Sequence, residues 1–170
     1  MRAFVCFFVG LLCGCGPVVE EPPAPEVFIA LPRDFQHFQQ WATYALPSNE
    51  VVGSPHLAGE RTLFINKKPA KGSTVFPVGT IIVKRVNGGS QNFAMVKRGG
   101  DYNLQGATNW EWFDLKPATD GVTQIIVWRG ITPPSGEMYH GVAGGECNTC
   151  HQSAKTNDFV KSEPLLLTGF

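Results

Sequence analysis

The sequence predicts an α+β domain that is mainly β, with an antiparallel sheet of about five strands and flanking helices. Three observations lead there. Between residues 61 and 129, five segments alternate apolar and polar side chains, the period of a half-buried strand. The separators are short and carry turn residues, among them Asn87-Gly88-Gly89 and Gly99-Gly100-Asp101, so successive strands double back on one another. Gly and Pro are plentiful and 11% of residues are aromatic, a composition that suits sheet and turns.

A chain of 170 residues fits one domain with a core of its own. Its formal net charge is zero and it has no basic block, which argues against nucleic acid as a partner. The N-terminus reads as a targeting segment. Arg2 supplies the positive start, and residues 3–12 form an apolar stretch too short to span a bilayer. Leu12-Cys13-Gly14-Cys15 resembles a bacterial lipobox, in which the last Cys is lipidated and becomes the mature N-terminus. An ordinary signal peptide cut nearby is the other reading. Residues 1–15 are thus expected to be a lipoprotein signal peptide, and the chain to be periplasmic, anchored to a bacterial membrane through lipid at Cys15. Residues 16–30 follow as a Pro/Glu-rich extended tether, and residues 31–170 as the folded domain.

Within that domain, residues 31–46 are expected to be a helix. Asp34 can cap its start, Phe35, Phe38, Trp41, Ala42 and Ala45 recur on one face, and Pro47 stops it. Strands are expected at residues 61–66, 80–86, 92–97, 109–115 and 123–129. A loop-rich stretch then runs to Gly145, and a short helix covers residues 146–154.

That last helix carries the chemistry. Cys147-Asn148-Thr149-Cys150-His151 is the C-x-x-C-H attachment signature of a c-type haem. Two thiols on one turn can each bond a haem vinyl group, and the next residue brings an imidazole to the iron. A zinc site needs four ligands, but no other Cys lies in residues 16–146, and His37, His56 and His140 are scattered. A thioredoxin-like C-x-x-C belongs near the start of a β-α-β unit, and this one lies at the far end of the chain. A disulfide would leave His151 without a role. The expected cofactor is haem c, its iron bound by His151 and its vinyl groups by Cys147 and Cys150. With Cys6 and Cys13 in the signal and Cys15 lipidated, no Cys is left over for a disulfide.

Small soluble cytochromes c draw a second axial ligand, often Met, from well downstream of the motif. Here residues 152–170 contain neither Met nor His. Met95, Met138, His37, His56 and His140 lie upstream, and nothing in the sequence singles one out. An iron with one open position is the simpler expectation, suited to a small ligand such as nitric oxide, hydroxylamine or peroxide. Two cations also break the strand pattern. Lys84 falls on the face of Ile82 and Val86, and Arg61 on that of Leu63 and Ile65. A cation on an apolar face needs a partner or a task, unless it sits at a strand end and reaches back to water.

From about residue 31 to residue 167 the chain resembles the cytochrome P-460 family, which includes cytochrome c′-beta. The resemblance rests on the early Trp41-bearing helix, on Gly59-Glu60-Arg61-Thr62-Leu63-Phe64-Ile65-Asn66, on residues 76–84 from Phe76-Pro77-Val78-Gly79-Thr80 to Lys84, and on Ala94-Met95-Val96-Lys97. Asn109-Trp110-Glu111-Trp112-Phe113 and the C-x-x-C-H motif with residues 154–160 behind it complete it. It implies the P-460-like cytochrome fold, a homodimer, and a five-coordinate haem with His151 as proximal ligand. It further implies that Lys84 is bonded to a meso carbon of the haem and that Arg61 hydrogen-bonds a distal ligand or a propionate. The implied activity is oxidation of hydroxylamine or processing of nitric oxide, with electrons passed to an acceptor protein. Members active on hydroxylamine carry a distal carboxylate, for which residues 92–97 offer Phe93 and no acid. A Phe-lined distal side is closer to cytochrome c′-beta, which binds nitric oxide without turnover. An oxidoreductase, a gas-binding protein and an electron carrier are therefore the three expectations, and Lys84, Arg61 and Phe93 the residues that separate them.

Overall fold

The computed structural model describes residues 23–46, 60–86, 91–135, 138–139, 142–143 and 147–170. The expected signal peptide with Cys15, the first part of the tether, and His56 and His140 lie outside the described residues. Six strands form one antiparallel sheet in chain order: β1 (Ala42–Leu46), β2 (Arg61–Ile65), β3 (Ile81–Val86), β4 (Gln91–Lys97), β5 (Trp110–Pro117) and β6 (Gln124–Gly130). A two-stranded ladder of β7 (Met138–Tyr139) and β8 (Val142–Ala143) follows, then the helix α1 (Cys147–Gln152) and a C-terminal segment of short 3-10 turns. The domain is therefore mainly β with some helix, and strands β2 to β6 fall within two residues of where alternation places them. Among the described residues no helix is long and apolar enough to cross a membrane.

The helix expected over residues 31–46 does not form. Two 3-10 turns, Pro32–Phe35 and Phe38–Gln40, lead into β1 instead. His37 sits between the turns with φ at +56°, a left-handed backbone that no α-helix continues through. The aromatic spacing is what imitates a helix. Phe35, Phe38 and Trp41 stand three apart, and a 3-10 helix repeats every three residues, so its side chains at i and i+3 eclipse. Phe38 meets Phe64 edge-on at 5.0 Å and Trp41 at 6.3 Å, while Phe35 packs on Phe113 at 5.2 Å. The residues are core, as an apolar stripe should be, but on tight turns.

The sheet has two buried faces. On one, Phe35, Phe38, Phe64, Val83, Val96 and Phe113 form a core beneath the N-terminal turns. Val27 bridges Gly99, and the Phe28 amide donates to the Arg98 carbonyl at 2.8 Å, so the chain is tied to this face before residue 31. Gly99 has φ +73°, and a Cβ there would lie 2.2 Å from the Glu26 carbonyl oxygen, so only glycine lets the segment pass. Glu111, 2% exposed, holds this face together. Arg129 donates to it through Nε at 2.7 Å and Nη2 at 2.6 Å, and to the Ala30 carbonyl through Nη1 at 2.6 Å. Arg98 adds a contact to Glu111 at 3.2 Å. The hydrogen bonds that Arg129 donates to Glu111 hold its guanidinium above its ordinary range.

The opposite face carries Leu63, Ile82, Phe93, Met95, Trp110 and Trp112. Here the register puts Tyr44, Leu63, Lys84, Phe93, Asp114 and Trp128 in one row across all six strands. The C-terminal segment covers this face with Phe159, Val160, Leu165 and Leu167. Its clamp is a buried ion pair. Lys97 Nζ lies 2.6 Å from Asp158 Oδ1, with both side chains about 95% enclosed, at 6% and 5% exposure. Asp158 Oδ2 also accepts the Phe76 amide at 2.9 Å, and Lys97 stands 5.1 Å from the Trp110 ring. Desolvation pushes the Lys97 amine below its ordinary pKa, and Asp158 opposes that shift. Asn157 completes the clamp, donating to the carbonyls of Val160 and Leu165 and accepting the Leu167 amide at 2.7 Å.

Removing one partner of such a pair leaves a buried charge uncompensated. Asp158→Asn keeps an acceptor for Phe76, so its loss isolates the charge. It is expected to cost about 3–5 kcal/mol in urea unfolding, and adding Lys97→Met should return a large part of that. A loss under about 1 kcal/mol for the single variant would show that the pair does not hold the segment.

Candidate functional site

The C-x-x-C-H motif lies on α1, which sits against the second face of the sheet under the C-terminal segment. Cys147 and Cys150 are both half-buried free thiols. Burial pushes the Cys147 thiol up to about 12, so it stays protonated. Lys161 approaches Cys150, with Nζ 3.3 Å from Sγ.

His151 is held by two contacts. Its Nδ1 lies 2.7 Å from the Phe159 carbonyl oxygen, and its ring centroid is 4.5 Å from that of Trp112 at an interplanar angle of 48°. A carbonyl can only accept, so Nδ1 carries the proton and Nε2 keeps a lone pair. Desolvation pushes the imidazole down to about 4; the Phe159 carbonyl opposes this, and the charges of Lys84 and Lys161 add to it. The ring is therefore neutral at pH 7, with its orientation set by a backbone acceptor. This is the state of a metal-binding imidazole, whose second nitrogen is normally tied to a carbonyl or carboxylate.

Beside His151 a small open pocket of about 70 Å³ is bounded by the sheet and by the C-terminal segment. The sheet contributes Leu63, Lys84, Phe93, Met95 and Trp112, and the segment contributes Val160 and Lys161. Two of the three residues singled out by the sequence are thus brought together with the motif histidine. Lys84 is half-buried and stands directly opposite Phe93 in the β3–β4 pairing. Arg61 shares the face but belongs to the next row, opposite Val86. It is 5% exposed, and its Nε and Nη2 are buried with no hydrogen-bond partner among the described residues. Two bare guanidinium nitrogens in a closed setting are costly, and they match an anionic group that a ligand could bring.

Two further residues lie on this face of the sheet, Met95 in the pocket lining and Asp114 in the neighbouring strand. Met95 lines the pocket, which the sequence did not distinguish from the other upstream candidates; His37 is exposed and caps a turn on the opposite face. Asp114, 8% exposed, is paired directly with Phe93 on the pocket face. It lies where the β5–β6 register shifts, with Val127 left as the extra residue, and such bulges re-aim side chains beside functional sites. Period two already put Asp114 on the face of Trp110 and Trp112, the same signal that marked Lys84. Among the described residues no group of three or more His, Cys, Asp or Glu side chains is arranged to hold a bare metal ion.

The motif helix is docked through its first inter-cysteine residue. Asn148 Oδ1 accepts from Asn103 Nδ2 at 2.8 Å, the Ala107 amide at 3.2 Å and Trp112 Nε1 at 3.1 Å. A Cβ on Gly106 would lie 2.3 Å from the Asn148 amide carbon. Gly106→Ala is therefore expected to displace α1 and cost about 1–3 kcal/mol, read as a fall in melting temperature together with a changed Trp fluorescence. An unchanged melting temperature would mean that the loop yields freely.

Comparison with known proteins adds no assignment: no family model, curated protein or solved structure matches this chain.

Proposed function

We propose that the chain is an exported, lipid-anchored c-type haem protein with one haem, acting on hydroxylamine or nitric oxide on the periplasmic side of a membrane. The observation that carries this reading is the state of His151: neutral, tied through Nδ1 to Phe159, and next to a pocket at the end of a C-x-x-C run of free thiols. In this reading Cys147 and Cys150 hold the haem covalently and His151 binds its iron. The buried Nε and Nη2 of Arg61, without a partner among the described residues, support the fit, since a haem brings carboxylates. Bound there, haem supplies a redox-active iron at which a small nitrogen ligand can be oxidised.

The chain's own residues do the rest. Lys84, on the sheet side of the pocket, is the residue assigned to a covalent bond with the cofactor. Phe93 keeps water from the ligand's side, and Trp112 backs the ring of His151. Oxidising hydroxylamine removes protons as well as electrons, so a proton acceptor must stand near the ligand. Residues 92–97 supply none, and Asp114, opposite Phe93, takes that role. Electrons leave to an acceptor protein, and two copies of the chain pair as a homodimer, as in the family it resembles.

Two observations favour other readings. Phe93 leaves an apolar wall that suits a nitric oxide binder without turnover. Met95 lines the pocket and is a soft ligand that could fill the second axial position of an electron carrier.

Intact mass and an absorption spectrum of the matured protein test the whole reading. One covalent haem is expected, lost in the Cys147→Ser, Cys150→Ser double variant, and a colourless wild type would overturn it. A Soret band shifted far to the red that returns to an ordinary c-type position in Lys84→Ala is expected from the Lys84 bond. Asp114→Asn is expected to lower hydroxylamine turnover by about 100-fold or more while leaving the spectrum unchanged, the scale of a general base. Phe93→Glu is expected to raise turnover, and no change would count against proton removal as the limit. A low-spin ferric spectrum turned high-spin by Met95→Leu would replace the oxidase with the carrier.

A further inference from the structure

We infer that Asn148 is a positioning residue: acting through Trp112, it sets the orientation of His151 and builds the attachment site before any cofactor is present. The inference rests on the reading of His151 as the iron ligand.

The argument starts from length. α1 has six residues, none of them fully buried, and a helix that short has no stability of its own in water. Something outside it must fix its direction. His151 contributes its bond to Phe159, and Gln152 Nε2 donates to the Gly106 carbonyl at 3.1 Å. Asn148 contributes most. Its Oδ1 takes three N–H donors, and its Nδ2 returns a bond to Asn103 Oδ1 at 3.0 Å. Asn103 is itself held by the carbonyls of Ala107 and Trp110, at 3.2 and 3.1 Å, with a left-handed φ of +59°. Only a primary amide both accepts and donates in this way. Asp would set a carboxylate against Asn103 Oδ1, and Ser would fall short.

The link to the imidazole is the indole. Trp112 is 4% exposed, and its indole N–H donates to Asn148 Oδ1. That bond fixes the rotation of the indole, and the indole packs on the His151 ring. The imidazole is thus constrained twice, through Nδ1 by Phe159 and across its plane by Trp112. Removing the Asn148 amide strands a buried N–H and frees the ring that backs the ligand. The spacer between two attachment cysteines needs no chemistry of its own, yet here its first residue is wired to the sheet.

The test compares wild type, Asn148→Ala, Asn148→Asp and Trp112→Phe, each with and without haem. In the haem-free chain, Asn148→Ala is expected to speed exchange of the Trp112 indole proton at least tenfold, with Asn148→Asp, which keeps an acceptor, restoring part of the protection. In the haem-loaded protein, Asn148→Ala is expected to broaden and shift the ferric EPR signals that report imidazole orientation and to move the reduction potential. Trp112→Phe keeps a ring on His151 but removes the N–H, so it should shift the EPR signals in the same direction; it decides the matter if Asn148→Ala does not fold. Unchanged indole exchange overturns the inference, as do unchanged EPR signals and potential in haem-loaded Asn148→Ala, or in Trp112→Phe if the former is lost. A wild type that never binds haem overturns the proposed function instead, and the haem-free exchange data still judge Asn148.

Discussion

The buried contact between Lys97 and Asp158 is the constraint on which the rest of the molecule depends. It joins the fourth strand of the sheet to a segment 61 residues later, at a point where water is excluded. Asp158 and Phe159 both adopt left-handed backbone, φ +49° and +66°, a conformation costing roughly 1–2 kcal/mol for each non-glycine residue. The ion pair, the Phe76 amide on the second carboxylate oxygen and the Asn157 bonds offset that strain. What the strained pair of residues achieves is direction: the Phe159 carbonyl faces back at the motif helix and meets His151. Fold energetics and the state of the imidazole are therefore set by the same turn.

The two faces of the sheet divide the work. One is closed by Glu111 with its two arginines and by aromatic turns, and every charge in that network has a partner. The other carries Arg61, whose Nε and Nη2 meet no partner among the described residues, Lys84 lining the pocket, and Asp114 paired with Phe93 in the strand register. The motif histidine borders this second face, through its contact with Trp112 and the pocket it shares with Lys84.

Much of this could be read from the residues in order, and the exceptions have physical causes. Strands β2 to β6 were legible because one side of each segment is apolar at period two, and Lys84 and Arg61 stood out against that same period. β1 was hidden, because Phe35, Phe38 and Trp41 at spacing three imitate a helical stripe while serving 3-10 turns, and the alternation of Ala42, Tyr44 and Leu46 was absorbed into it. Asp114 carries the same period-two signal, an acid on the apolar face of Trp110 and Trp112, but it stands on the strand next to that of Phe93. Asn148 and Asp158 were not legible at all. Their partners lie 45 and 61 residues away, and nothing local distinguishes an asparagine that docks a helix from one that faces solvent.

The entry of the chain on the Glu111 face has a mechanical meaning. Val27, Phe28 and the Ala30 carbonyl are fastened to Gly99, Arg98 and Arg129, across the sheet from the motif helix. Under the anchoring proposed above, a pull on the N-terminal end would be taken up by strands β4 to β6 and their arginine–glutamate knot, on the far face from the histidine.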